Sequence, residues 1–352
     1  MRKRITESSV VLSATLTVVV LVVLLFVCVL GLTGCEKAKI PVRVLILPAF
    51  EVGKMSGDFP GEAQYYYEEY LKGGKEYTIP GGSGNTKLYL KDGVALCLLG
   101  QGKVSAALNT DAVLADDRFD FSNTYFLLTG CAGSAEGYGI MGDVYVISST
   151  VDYDLGHHAD SREMENDSRA TWFHDKDFDN NAVIRLNAGL TGRVYDLVKN
   201  VKLETTGRTV KYLRTNFPGE KWANRQPKVL MGTSVTGDDF WKGKYDHLNA
   251  LKMIKTYRCP DPYAATEMED IAAATSLKNH GMLDRLIILR DSVNMDVFAK
   301  DSSPEKLWGA KTDDDLASDS SEESVDIFAT AMKNNFKVGK KVIRAILDNK
   351  LR

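Results

Sequence analysis

The stretch VALCLLGQGKVSAALNTDAVLA, residues 94–115, decides the fold. Its first six residues are a continuous apolar run of strand length, without alternation, as in a strand covered on both faces. Gly100-Gln101-Gly102 then turns the chain, and residues 104–115 carry apolar side chains at helical spacing. The same punctuation recurs on either side. Short runs rich in branched residues at 42–47, 124–128, 144–148, 228–231 and 286–289 predict further strands, while 266–279, stopped by Gly281, and 326–349 predict helices. Strands alternating with helices predict a three-layer α/β domain. The stretches GGKEYTIPGGSGN (73–85) and KTDDDLASDSSEESVD (311–326) read as loops, the second a solvated acidic linker. Residues 150–227 are polar and less periodic, and read as an elaboration within a single domain covering 42–352.

The chain has 352 residues, 44% of them apolar and 26% charged, which is ordinary globular composition and excludes a mainly disordered chain. With 44 basic against 47 acidic side chains and a formal charge of −3, it has no excess of basic residues to bind nucleic acid. The first 35 residues differ from the rest. A basic head, Met-Arg-Lys-Arg, precedes a stretch with no charged residue from Val10 to Gly34. A basic head with an apolar stretch reads as a secretory signal, and its length would also span a bilayer as a helix. Its end, Leu32-Thr33-Gly34-Cys35, resembles a bacterial lipobox, in which Cys35 carries the lipid and begins the mature chain; the alternative is an uncleaved signal anchor. Both readings predict a folded part outside the cytoplasmic membrane, held on the lipid bilayer, with 35–41 as a short tether. Cleavage would leave 318 residues with a formal charge of −5.

Three cysteines then remain, Cys97, Cys131 and Cys259, neither a disulfide framework nor a metal site of the CxxC kind. Cys97 and Cys131 stand in apolar surroundings and read as core residues. The five histidines include the adjacent pair His157 and His158 but no HxxxH spacing, so neither a metal nor another cofactor is expected.

Five local patterns could carry chemistry, each with a plain packing alternative. Gly100-Gln101-Gly102-Lys103 can turn backbone N–H groups toward an anion, or can simply be a tight turn; it is neither GxxxxGK[ST] nor GxGxxG. Thr129-Gly130-Cys131-Ala132-Gly133 at a strand end leaves room for a ligand or for close packing. Gly237-Asp238-Asp239-Phe240-Trp241-Lys242-Gly243 offers aromatic faces to a flat heterocycle or to the core. Glu267-Met268-Glu269-Asp270 complements a helix dipole, or accepts bonds from vicinal hydroxyls. Asp291, just past the strand 286–289, is placed to act as a general acid if its surroundings raise its pKa.

The order of these patterns resembles the nucleoside phosphorylase superfamily, in particular the methylthioadenosine/S-adenosylhomocysteine nucleosidases and the purine nucleoside phosphorylases, from about Val42 to the last helix. FDFSNTYFLLTGCAG (119–133), DYDLGHHADSREM (152–164), TGDDFWKG (236–243) and ILRDSVNMD (288–296) resemble the purine nucleoside permease family more closely. The resemblance implies a three-layer αβα fold with a twisted mixed sheet and a purine nucleoside as ligand. It implies that Met268 and Glu269 contact the ribose, and that Phe240, Trp241 and Asn294 hold the base. Asp291 would protonate the leaving base and Glu51 would activate water, over a floor made by Gly102, Gly130, Ala132 and Gly133. Phosphorylases carry arginines at their phosphate site, whereas this glycine turn has only Lys103, so water is the expected nucleophile. The superfamily implies a homodimer or trimer. A lone apolar stretch cannot form a transport path, so any role in uptake would be capture or processing of nucleosides, with a separate membrane transporter as partner. Cleavage of the N-glycosidic bond and binding without turnover are the competing functional readings.

Overall fold

The strands that read as unbroken apolar runs do so because both of their faces are covered. Every residue of β1 (Val44–Leu47) is buried, as is every residue of Val94–Cys97. The computed structural model describes residues 38–351 apart from 85, 166–168, 301 and 304–321. The chain divides into two units, Met1–Ile40 and Pro41–Arg352, and the second carries all the elements that follow. The expectations for the leader, for Cys35 and for residues 311–321 of the acidic linker lie outside the described residues.

After β1 come β2 (Lys75–Thr78), β3 (Lys87–Lys91), β4 (Val94–Cys97), β5 (Tyr125–Ser134), β6 (Val144–Asp152), β7 (Val183–Arg185), β8 (Val229–Thr236), β9 (Tyr263–Glu267) and β10 (Leu286–Met295). They form one ten-stranded mixed sheet in the order β7-β6-β8-β9-β5-β1-β4-β3-β2. The tenth strand, β10, pairs parallel with β5 and antiparallel with β6. Because β6, β8, β9 and β5 also pair in series, the five strands close a circuit, which leaves no open edge in that part of the sheet. The helices are α1 (Lys103–Ala115), α2 (Ala188–Val198), α3 (Gly207–Asn216), α4 (Lys244–Thr256), α5 (Asp270–Asn279) and α6 (Glu322–Leu347).

Helix α6 holds the sheet from one side. Its Val338, Val342, Ile343 and Ile346 join Val44, Ile46, Leu96, Leu127, Val144 and Ile287 in a single buried cluster. Within this apolar contact lies one polar knot. Asn335 accepts from Tyr66 Oη at 2.7 Å and Thr129 Oγ1 at 2.5 Å, and donates from Nδ2 to Asp291 Oδ1 at 2.7 Å. Arg43 closes the far end of the helix by donating to the carbonyls of Ile346 (3.1 Å) and Leu347 (3.0 Å), in the last turn, where the helix supplies too few N–H partners.

Several elements differ from the sequence reading. Strands β5, β6, β8 and β10 run well past their apolar cores into polar residues, because the closed circuit supplies backbone partners there. The stretch 266–279 is not one helix: Tyr263–Glu267 is a strand and α5 starts at Asp270. Part of the presumed loop 73–85 is the short, mostly exposed strand β2, paired to β3, whose lack of a buried face hides it from the pattern. The last helix begins at Glu322, inside the presumed linker, since apolar periodicity starts only at Ile327.

Gly339 lies where α6 crosses Tyr66, and a Cβ there would fall on the tyrosine hydroxyl. Gly339→Ala should therefore destabilise the domain by about 1–3 kcal/mol through overpacking, read as a lower urea midpoint with an unchanged m-value.

Candidate functional site

A cleft with both apolar and polar lining opens where β1, β5, β9 and β10 end. Ala49 and Phe50 line it from the end of β1, Cys131–Gly133 from β5, Thr266–Glu269 from β9, and Val293 and Asn294 from β10. Gln101 and the loop residues Asp239–Trp241 complete the wall.

Beneath the wall sits Arg290, 1% exposed. A buried charge requires both counter-charge and hydrogen bonds, and Arg290 has three carboxylates. Its Nε donates to Asp270 Oδ1 at 2.9 Å, and its Nη2 to Glu267 Oε2 at 3.2 Å and Glu269 Oε2 at 3.0 Å. Its Nη1 reaches the carbonyl of Cys131 at 3.1 Å. Glu267 turns inward, taking the backbone N–H groups of Glu269 and Asp270 at 2.8 and 2.7 Å; burial and then Asp270 raise its pKa. Glu269, in the wall of the cleft, has a second tie: its Oε1 accepts the N–H of Gly102 at 3.1 Å. Both of its oxygens are thus fixed, and each keeps a lone pair for a ligand hydroxyl.

Opposite stands Glu62, a buried carboxyl that no sequence motif marks. Its Oε2 accepts from Ala49 N at 2.7 Å and its Oε1 from Cys131 N at 2.8 Å. It lies against Gly130, where any Cβ would collide with the carboxyl group. Burial above all, with Glu269 adding and Arg290 opposing, pushes its pKa up to about 7. The one trace of it in the sequence is Gly130 itself, a strand position kept empty for a neighbour.

Of the residues expected at a site, Ala132, Gly133, Phe240, Trp241, Met268, Glu269 and Asn294 line this cleft. Gly130 lies under Glu62, and Gly102, at φ +83°, holds Glu269. Trp241 stacks on Tyr153 with ring centroids 5.0 Å apart, while Phe240 is 64% exposed at the mouth. Cys131, expected in the core, is partly exposed in the wall. Two residues are not brought in. Glu51 accepts backbone N–H groups from Val52, Gly61, Ala63 and Gln64, so its carboxylate seats the short helix Gln64–Tyr66. Asp291 follows Arg290 on the strand, and alternation turns it to the opposite face. There its Oδ1 meets Asn335, its Oδ2 has no partner among the described residues, and burial raises its pKa well above the carboxylate range. An irregularity between Ser292 and Asn294 then shifts the register, and Asn294 faces the cleft.

The glycine turn is filled from within. The N–H of Gly102 serves Glu269, and that of Lys103 serves Asp238 Oδ1 at 2.7 Å. The Lys103 ammonium lies between Asp152 (2.8 Å) and Asp154 (2.7 Å). Among the described residues no cluster of His, Cys, Asp and Glu is arranged to hold a metal ion.

Comparison with known proteins gives this geometry a context. The family described as purine nucleoside permease (NUP) matches residues 41–350. A probable purine nucleoside permease of Schizosaccharomyces pombe is 27% identical over 221 residues, 56% of this chain and 63% of that protein. A purine nucleoside permease of Candida albicans is 27% identical over 212 residues, 54% of this chain and 51% of that protein. The match thus spans between half and two thirds of these relatives' length. Solved structures of similar fold include the methylthioadenosine/S-adenosylhomocysteine nucleosidase of Colwellia psychrerythraea in complex with adenine. It has a TM-score of 0.51 and 16% identity, and the match covers 88% of this chain and 98% of that one. The Streptococcus pneumoniae enzyme with 8-aminoadenine has the same score and identity, covering 86% and 100%. At such identities the likeness is one of fold: the domain is a mixed-sheet α/β fold of the nucleosidase type.

Two variants test the buried charges. Arg290→Met strands Glu267, Glu269 and Asp270 without counter-charge and should lower stability by about 3–5 kcal/mol at neutral pH, with a smaller loss in acid where the carboxyls protonate. Glu62 titrates near 7 in the folded chain against 4.5 for a free glutamate, so between those values the folded state holds the extra proton. Its contribution is complete below 4.5 and is lost as pH rises through 7. Glu62→Gln cannot ionise, so its urea midpoint relative to wild type should improve over that window.

Proposed function

Because the chain belongs to the purine nucleoside permease family, we propose that its cleft takes a purine nucleoside and cleaves the N-glycosidic bond with water. The observation that carries this reading is the pair of buried carboxyls facing one cleft: Glu269, fixed from both oxygens, and Glu62, poised to exchange a proton near neutrality. Glu269 accepts the ribose hydroxyls beside Met268. The purine lies against Phe240 and Trp241, with the Asn294 amide at its edge. Bond breaking develops positive charge on the ribose and negative charge on the base. Glu62 takes a proton from the attacking water, while Asn294 donates a hydrogen bond to the departing base, which gains its proton from solvent. The occupied N–H groups of Gly102 and Lys103 and the doubly paired Lys103 ammonium support water over phosphate as nucleophile.

The address at residues 1–35 belongs to the same proposal: Cys35 carries lipid and tethers the domain at an extracytoplasmic surface. Incorporation of labelled fatty acid into the wild type, absent in Cys35→Ser, is the expected result. A second reading, capture without cleavage and hand-over to a separate transporter, is favoured by one observation. The β10 residue at the cleft is an amide, Asn294, while the acid Asp291 is turned away.

Incubation with adenosine, guanosine or inosine, with and without phosphate, separates the readings. Hydrolysis predicts free base at a rate indifferent to phosphate, and a roughly 10²–10⁴-fold loss in Glu62→Gln with calorimetric affinity retained. Tight binding without base release selects the second reading, and absence of both overturns the two together.

A further inference from the structure

The far face of α6 carries a feature that the cleft does not use. Lys333, Lys337, Lys340, Lys341 and Arg344 recur at helical spacing on one side of the helix and, with Lys202, border a groove floored by Val201 and Phe336. At 1.5 Å per residue the row is about 16 Å long. Phe336 stacks on Tyr65 at 5.7 Å, and Lys340 lies over its ring at 5.5 Å.

The charge is not cancelled locally. Glu204 pairs with Lys333 at 2.8 Å and Lys337 at 3.7 Å, and Glu69 with Lys340 at 2.5 Å and Arg344 at 3.6 Å. Two carboxylates thus serve four cations, and Lys202 and Lys341 have no ionic partner among the described residues. This concentration of positive charge stands on a chain whose formal charge is −3.

We infer that this face of α6 docks the domain onto an anionic lipid surface. A single phosphate would satisfy two or three of these side chains, whereas a row of this length beside an apolar floor matches many headgroups at once. The place where the chain enters the unit agrees. Arg43, two residues after the unit begins, is bonded to the last carbonyls of α6, at the same end as Arg344. Further back in the sequence, residues 10–34 carry no charge at all. The inference rests in part on the reading of residues 1–35 as a membrane address, and the two can fail separately.

The full chain would be mixed with vesicles of phosphatidylcholine alone, and with vesicles of equal parts phosphatidylcholine and phosphatidylglycerol. Association with the neutral vesicles reports the apolar leader, whereas the gain on adding phosphatidylglycerol reports the groove. That gain should fall with salt and drop roughly five-fold per basic residue removed in Lys202→Ala with Lys341→Ala, two surface changes that leave the core intact. A gain unchanged by these substitutions or by salt would overturn the proposal. So would retention of an RNA or DNA oligonucleotide with the same sensitivity to both, or a change in oligomeric mass in place of a change in vesicle binding.

Discussion

The buried guanidinium of Arg290 is the constraint around which the cleft is built. A charge at that depth stands only if counter-charges and acceptors surround it, and they come from three elements. Glu267 and Glu269 arrive from the end of β9, Asp270 from the first turn of α5, and a backbone carbonyl from β5. Because the arginine fixes Glu269, and Glu269 in turn holds the N–H of Gly102, the start of α1 is tied to the same centre. Gly130, opposite Arg290 in the β5–β10 register, stays without a side chain and admits Glu62. One ion cluster thereby ties the ends of β5, β9 and β10 together and leaves two carboxyls facing the same space.

The floor behind that space is organised by a different polar group. Asn335 of α6 gathers Tyr66, Thr129 and Asp291 into one hydrogen-bonded knot inside an otherwise apolar contact. The knot keeps β10 in register against the helix, and it gives Asp291 a structural partner on the face away from the cleft. The two faces of one strand therefore divide the work: Arg290 orders the site, and Asp291 orders its support.

Much of the architecture was legible from periodicity. The unbroken apolar runs of β1 and β4 mark doubly covered strands, and the glycine turn before α1 marks a strand-to-helix corner. Elements that lack a buried stripe escaped: β2 is mostly exposed, and β9 merges with the acidic start of α5 in any reading of pattern alone. At the cleft, residues next to glycines or aromatics were found, because small and flat side chains at strand ends are visible in one dimension. Glu62 was not, since it stands in an ordinary-looking stretch, PGEAQYYY, and acquires its character only from burial against a distant strand.

What the sequence determined by itself is the alternation of buried strands with helices, the uneven split between an apolar N-terminal stretch and the remainder, and the residue types available to a ligand. These follow from local spacing, which a chain carries whether or not it is folded. Only the tertiary structure decided which carboxyls meet. Alternation along β10 and the register shift after Ser292 turned Asp291 away and brought Asn294 in. The backbone donors of a nearby loop claimed Glu51. Burial then set the protonation of Glu62, since the energy of a charge depends on what surrounds it in space rather than on its neighbours in the chain.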